Sequence, residues 1–92
     1  MIRSFRHAGL EAFFRTGSKA GIQPKHAKKL RLQLGALNRA SGPNDMAVPS
    51  WRLHPLHGDQ QGRWAVWVDE NWRLTFEFEG KDAVLVDYQD YH

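Results

Sequence analysis

Hydrophobic and polar residues change their spacing midway along the chain. In the first 40 residues, apolar positions recur every three to four residues, which is the spacing of one helix face. From Arg63 onward, apolar residues alternate with polar ones, which is typical of strands with one buried face. The pattern therefore predicts helices followed by a sheet.

Both predicted helices have recognisable ends. The first carries Leu10, Phe13 and Phe14 on one face and stops at Thr16-Gly17-Ser18. The second begins at Pro24, because a helix tolerates proline in its first turn, where the missing N–H would have no partner. Its apolar stripe comprises Ala27, Leu30, Leu34 and Leu37.

The remaining segments are predicted to be extended. Met1–Phe5 forms a short first strand, and Trp51–His54 forms a short strand that leads into a turn. Alternation predicts longer strands at 64–68, 72–79 and 83–88. With the short strand at Trp51–His54 set aside, the elements follow the order β-α-α-β-β-β. This order indicates an α+β fold with two N-terminal helices packed on one face of a mainly antiparallel sheet.

Length and composition narrow the class of protein. A chain of 92 residues fits one domain, which we expect to span residues 1–92. It contains no cysteine, which excludes disulfides, thiolate–metal sites and cysteine nucleophiles. Its apolar runs are far shorter than the roughly 20 residues that cross a bilayer, and Met1–His7 does not resemble a signal peptide. We therefore expect a cytoplasmic protein with no membrane partner.

Charge is divided unevenly along the chain, although the net charge is only +3. Residues 1–40 hold nine basic residues and one acid, whereas residues 41–92 hold four basic residues and nine acids. This asymmetry favours a first half that faces a polyanion. The alternative is a solvated basic helix that balances an acidic sheet.

Arg73 is the only cation in the strand predicted at 72–79, and alternation places it opposite Leu74 and Phe76. An exposed arginine on a sheet usually serves solubility, and the pattern alone favours that role. Its planar guanidinium can also hold a phosphate through two hydrogen bonds. Arg73 is therefore a candidate for binding an anion.

Histidines supply further candidates. His54 and His57 flank Pro55, which prevents the helix that would align them on a metal ion, so we expect no metal site. A structural role at the turn is favoured on these residues alone. The last three side chains could orient a charge, stack on a ring and exchange a proton near neutral pH; they are Asp90, Tyr91 and His92. The alternative is an ordinary frayed terminus. RNA cleavage needs a base, a cation and an acid, and His54, Arg73 and His92 could provide them without a metal.

Three segments resemble the HigB toxins of the RelE/ParE superfamily, also called plasmid maintenance system killer proteins. They are Arg52–Asp59, Asn71–Phe76 and Asp87–His92, and the N-terminal Met1–Phe5 with Gly9-Leu10 and Phe14 is similar as well. The resemblance covers essentially the whole chain. It implies a RelE-like fold and a ribosome-dependent endonuclease that cleaves mRNA, inhibits translation and uses no metal or cofactor.

The resemblance also implies roles for individual residues. Five positions match those that family members use in the mRNA site: His54, Arg73, Asp90, Tyr91 and His92. Arg73 would stabilise the transition state, the two histidines would share proton transfer or substrate positioning, Tyr91 would stack on or orient a base, and Asp90 would orient its neighbours. His57 stands where many relatives carry lysine, so a phosphate contact there would be weaker or more sensitive to pH.

Partners follow from the same resemblance. Four basic residues of the second helix region would lie against ribosomal RNA: Lys25, Lys28, Lys29 and Arg31. A helix-turn-helix antitoxin, similar to HigA, would hold the toxin inactive, and operator DNA would be bound only through that complex. Two alternatives stay open, namely a gyrase poison of the ParE type and a non-catalytic nucleic-acid-binding module. The gyrase poison is not expected to need His54 or the Tyr91-His92 ending, and the binding module would use the basic half and leave the C-terminus dispensable.

Overall fold

The computed structural model describes residues 1–90, in which two helices precede four strands. The helices are α1 (Ala8–Thr16) and α2 (Ala27–Arg39), and the strands are β1 (His54–Pro55), β2 (Trp64–Trp67), β3 (Trp72–Glu79) and β4 (Asp82–Asp90). The strands form one antiparallel sheet in the order β1-β2-β3-β4. The α+β class predicted from the sequence is confirmed. Neither helix is long and apolar enough to cross a bilayer.

Local chemistry explains the helix ends. The His7 side chain caps α1, because its Nδ1 accepts a hydrogen bond from the Leu10 N–H at 3.0 Å. Gly17 ends α1 in the left-handed conformation, with φ of 81°, and its N–H donates to the Phe13 carbonyl. Pro24 opens a short 3₁₀ turn that leads directly into α2. The predicted helix boundaries therefore match the structure closely.

The helices bury their apolar stripes against one face of the sheet. The core contains Leu10 and Phe13 from α1, Leu30, Leu34 and Leu37 from α2, and Val66, Leu74, Phe76 and Val86 from the sheet. Leu74 and Phe76 are fully buried, as the alternation in β3 predicts. The opposite face of the sheet, which we call the open face, carries the residues that alternate with these.

The N-terminal segment is extended but is not a continuous strand. It joins the edge of β4 through two isolated parallel bridges, Ile2 to Ala83 and Phe5 to Val86. Between the bridges, Leu85 has φ of 53°, and its N–H donates to the Ser4 hydroxyl at 2.9 Å. The irregularity in β4 therefore interrupts the predicted first strand.

The strand predicted at Trp51–His54 is wrong in position. Pro49–Trp51 forms a 3₁₀ turn, and Arg52 follows in the left-handed region with φ of 52°. This turn takes the chain out of the extended conformation at Arg52, and β1 is limited to His54–Pro55. This turn changes the chain direction just before His54.

A polar network ties α2 to the sheet ends near Arg73. The buried His26 ring bonds through Nε2 to Asp69 Oδ2 at 2.7 Å and through Nδ1 to the Tyr88 hydroxyl, and Trp72 stacks on Tyr88. Burial raises the pKa of Tyr88. Partial burial opposes ionisation of Asp69, but hydrogen bonds from His26 and the Asn71 and Trp72 N–H groups outweigh it and lower the pKa of Asp69. The network thus joins the start of β3 to the end of β4.

Candidate active site

The open face presents side chains in two rows. One row consists of Trp67, Arg73 and Gln89, and the other of His54, Ala65, Thr75 and Asp87. Directly paired residues in an antiparallel sheet point to the same side, so His54 and Arg73 share this face. Strand and residue spacings put their Cα atoms roughly 12 Å apart. Their long side chains can therefore approach one bound nucleotide from two sides.

Arg73 is half-buried and is held by its neighbour on β4. Its Nε and Nη2 each donate to Gln89 Oε1 at 3.1 Å. Gln89 is fixed in turn, because its Nε2 donates to Asp87 Oδ2 at 3.0 Å. A guanidinium oriented in this way loses little freedom when it binds an anion. Gln89 was not predicted from the sequence, since only the register reveals that it faces Arg73.

His54 is oriented by the backbone of the preceding turn. Its Nδ1 lies 2.7 Å from the Arg52 carbonyl oxygen. A carbonyl only accepts hydrogen bonds, so this contact assigns the proton of the neutral ring to Nδ1. Nε2 then keeps a lone pair and can accept a proton, as a general base must.

Arg63 is a second residue that sequence reasoning missed. Alternation correctly puts it on the open face, yet it is only 3% exposed. Its Nη2 donates to Thr75 Oγ1 and to the Leu85 carbonyl, both at 2.7 Å, and Nη1 lies 3.6 Å from Glu77. Burial, reinforced by the positive charge of Arg6, lowers the pKa of Arg63. This arginine supports Thr75 and the irregular part of β4 beneath the site.

Comparisons with known proteins show the family of the chain. Residues 3–92 match the family described as the RelE-like toxin of type II toxin-antitoxin system HigB. The chain belongs to this family. The toxin is 37% identical over 92 residues, the full length of both chains, to a protein named Endoribonuclease HigB from Proteus vulgaris. As a type II toxin, it has a cognate antitoxin.

A solved structure also shares the toxin's fold. The crystal structure of YafQ from E. coli strain BL21(DE3) matches it with a TM-score of 0.57 at 14% identity. The match covers 98% of this toxin and 93% of that chain. At this identity the likeness concerns the fold alone.

The structure does not gather every predicted site residue. Asp90 ends β4 and pairs with Trp72, which belongs to the helix side of the sheet, so strand alternation directs Asp90 away from the Arg73 row. His57 is exposed in the loop after β1, just before a 3₁₀ turn. Tyr91 and His92 lie outside the described residues.

The predicted basic contacts lie on the other side of the toxin from the open face. Lys25, Lys28 and Arg31 are exposed and Lys29 is half-exposed, all on the segment that packs against the core side of the sheet. A shallow groove there is lined by Phe13, Arg31 and Leu34, among others, and offers no acid–base pair. In residues 1–90, no three potential ligands among His, Asp and Glu cluster to hold a metal ion.

Proposed function

We propose that this toxin is an endoribonuclease that cleaves mRNA on the ribosome, with its active site on the open face. The observation that carries the proposal is the shared placement of His54 and Arg73, one with a proton-accepting nitrogen and the other with a fixed guanidinium. The full-length similarity to Endoribonuclease HigB supports it.

The cleavage step follows from these groups. His54 Nε2 removes the proton of a 2′-hydroxyl, and that oxygen attacks the adjacent phosphorus. The bond from phosphorus to the 5′-oxygen breaks, which yields a 2′,3′-cyclic phosphate and a 5′-hydroxyl. Arg73 stabilises the extra negative charge of the transition state. His92 supplies the proton for the leaving oxygen.

The other proposed site residues position the substrate. Tyr91 stacks on a base of the mRNA, and Asp90 orients the two residues that follow it. His57 donates a ring N–H toward phosphate at the rim of the site. No cofactor is needed for this chemistry.

Ribosome dependence follows from the separation of charges. On the open face the acids Glu77 and Asp87 accompany the cations, which weakens binding of naked RNA there. The exposed cations Lys25, Lys28 and Arg31, with Lys29, lie on the helix side, where they can dock on ribosomal RNA. The ribosome then presents the mRNA to the open face, and positioning supplies much of the rate enhancement.

The test compares naked mRNA with mRNA on programmed ribosomes, at low and moderate salt. We expect cleavage only on ribosomes, with binding weakened by salt. Lys28→Glu and Lys29→Glu should each reduce ribosome binding, whereas Lys81→Glu in the β3–β4 turn, which makes the same change of charge, is the matched control and should not. Equal cleavage of both substrates would exclude the ribosome requirement.

We further propose that the cognate antitoxin is a helix-turn-helix protein similar to HigA, and that operator DNA is bound only through the complex. The toxin acts in the cytoplasm, where mRNA is translated. Co-expression with the neighbouring gene should return a stoichiometric complex whose DNA binding is lost when the antitoxin is removed.

A further inference from the structure

Arg52 and Trp67 form an arginine–indole pair on the open face beside Arg73. The Arg52 Cζ lies 4.2 Å from the centre of the Trp67 ring, and Trp67 is the direct register partner of Arg73. We infer that this pair is a stacking platform for one nucleobase of the mRNA, next to the phosphate that Arg73 holds. The inference rests on the proposed endoribonuclease function.

The backbone around Arg52 builds the platform. Arg52 adopts φ of 52°, which is uncommon for a residue with a side chain, and its N–H donates to the Pro49 carbonyl at 3.4 Å. The same residue orients His54 through its carbonyl oxygen. The turn therefore both places the Arg52 guanidinium over Trp67 and orients His54, the proposed general base.

The position of the pair favours a nucleobase as its ligand. Trp67 is a large aromatic residue left half-exposed on a polar sheet face, whereas Trp51 is buried in the core. Arg52 is exposed, and in residues 1–90 it has no carboxylate within ion-pair distance. A guanidinium that stacks on an indole can accept a flat ring on its other face, as arginines do in RNA recognition.

The orientation of the Arg52 guanidinium favours a nucleobase over a second phosphate as the ligand of this pair. Phosphates bind at the edge of a guanidinium through its N–H groups, whereas Arg52 presents a face to the indole. Paired residues on β2 and β3 lie about 5 Å apart, a spacing that one nucleotide can bridge from its phosphate to its base. Arg73 and the neighbouring Arg52–Trp67 pair are thus spaced to bind the phosphate and the base of one nucleotide.

Substitutions separate stacking from charge. Arg52→Lys keeps the positive charge but removes the planar guanidinium. Trp67→Leu keeps an apolar side chain but removes the aromatic ring on which the guanidinium stacks. Trp67→Phe keeps a ring. Arg15→Lys is the matched control, because Arg15 lies over the Phe5 ring at 5.8 Å on α1, away from the open face.

The measurement is single-turnover cleavage of mRNA on programmed ribosomes over a range of toxin concentrations. Loss of base stacking should raise the half-saturating concentration of Arg52→Lys and Trp67→Leu by about 5- to 150-fold. The limiting rate should stay within about threefold, because the chemical groups are unchanged. Arg15→Lys should behave like the wild type, and Trp67→Phe, which keeps a smaller ring, should fall between the wild type and Trp67→Leu.

Several outcomes would overturn the platform. One is an Arg52→Lys toxin with the wild-type half-saturating concentration while the wild type cleaves normally. Another is a fall in limiting rate alone, since Arg52 would then act through His54. Thermal unfolding checks each variant, and Arg52→Lys decides the question if Trp67→Leu does not fold. A wild type that cleaves no substrate would instead overturn the proposed function, and the platform with it.

Discussion

Gly9 and Gly35 both lie in helices, yet an added methyl group should have opposite effects at the two positions. A Cβ atom at Gly9 would stand 2.6 Å from the Gly21 carbonyl oxygen and 2.7 Å from its Cα. Both are backbone atoms, so neither can rotate away. A Cβ atom at Gly35 would meet only the flexible end of Arg39, at 3.5 Å, which is an ordinary contact.

The magnitudes follow from these distances. Gly35→Ala should stabilise the fold by about 0.5–1 kcal/mol, because alanine loses less backbone entropy in a helix. Gly9→Ala forces α1 away from the segment at Gly21, and such overpacking costs about 1–3 kcal/mol. Helix propensity offsets at most about 1 kcal/mol of that cost. The two variants should therefore differ in sign.

Thermal unfolding followed by circular dichroism measures both effects, in an Arg73→Ala background that limits toxicity to the expression host. In a domain of this size, about 1 kcal/mol corresponds to a change in Tm of roughly 4–8 °C. Gly35→Ala should raise Tm and Gly9→Ala should lower it. A Gly9→Ala protein as stable as its parent would refute the close approach of the two glycines.

Two further substitutions test the polar network and the proposed base. Because the pKa of Asp69 is lowered in the folded state, its carboxylate contributes stability above the ordinary value of 3.8 and loses that contribution as pH falls below it. Asp69→Asn should thus flatten the fall in unfolding free energy between pH 5 and about 3, measured in urea, and an unchanged slope would contradict this role. His54→Ala should reduce mRNA cleavage by about 10²- to 10⁴-fold with little change in Tm, and full activity would exclude His54 as the base.

The sequence predicted the parts of the fold that depend on local periodicity. The alternation in 72–79 has only one arrangement that buries Leu74 and Phe76 together, and that arrangement places Arg73 on the open face. Likewise, Gly17 marks the end of α1 through its own backbone preference. Such features are determined within a few residues of the chain.

Other features depend on contacts between distant segments, which local patterns do not encode. The burial of Arg63 requires the Leu85 carbonyl, which the irregularity in β4 presents to it. Gln89 gains its place beside Arg73 only through the β3–β4 register. The stacking of Arg52 on Trp67 depends on a left-handed turn after Pro49, where the alternating pattern predicted a strand.

The endoribonuclease activity is tested most directly by comparing wild type and Arg73→Ala on mRNA bound to programmed ribosomes. The wild type should release fragments that end in a 2′,3′-cyclic phosphate. Arg73→Ala should be about 10²- to 10³-fold slower, because it lacks the cation that stabilises the transition state. Its Tm should change little, since Arg73 lies outside the core. Cleavage by Arg73→Ala at the wild-type rate, or growth arrest by it at wild-type levels, would contradict the account.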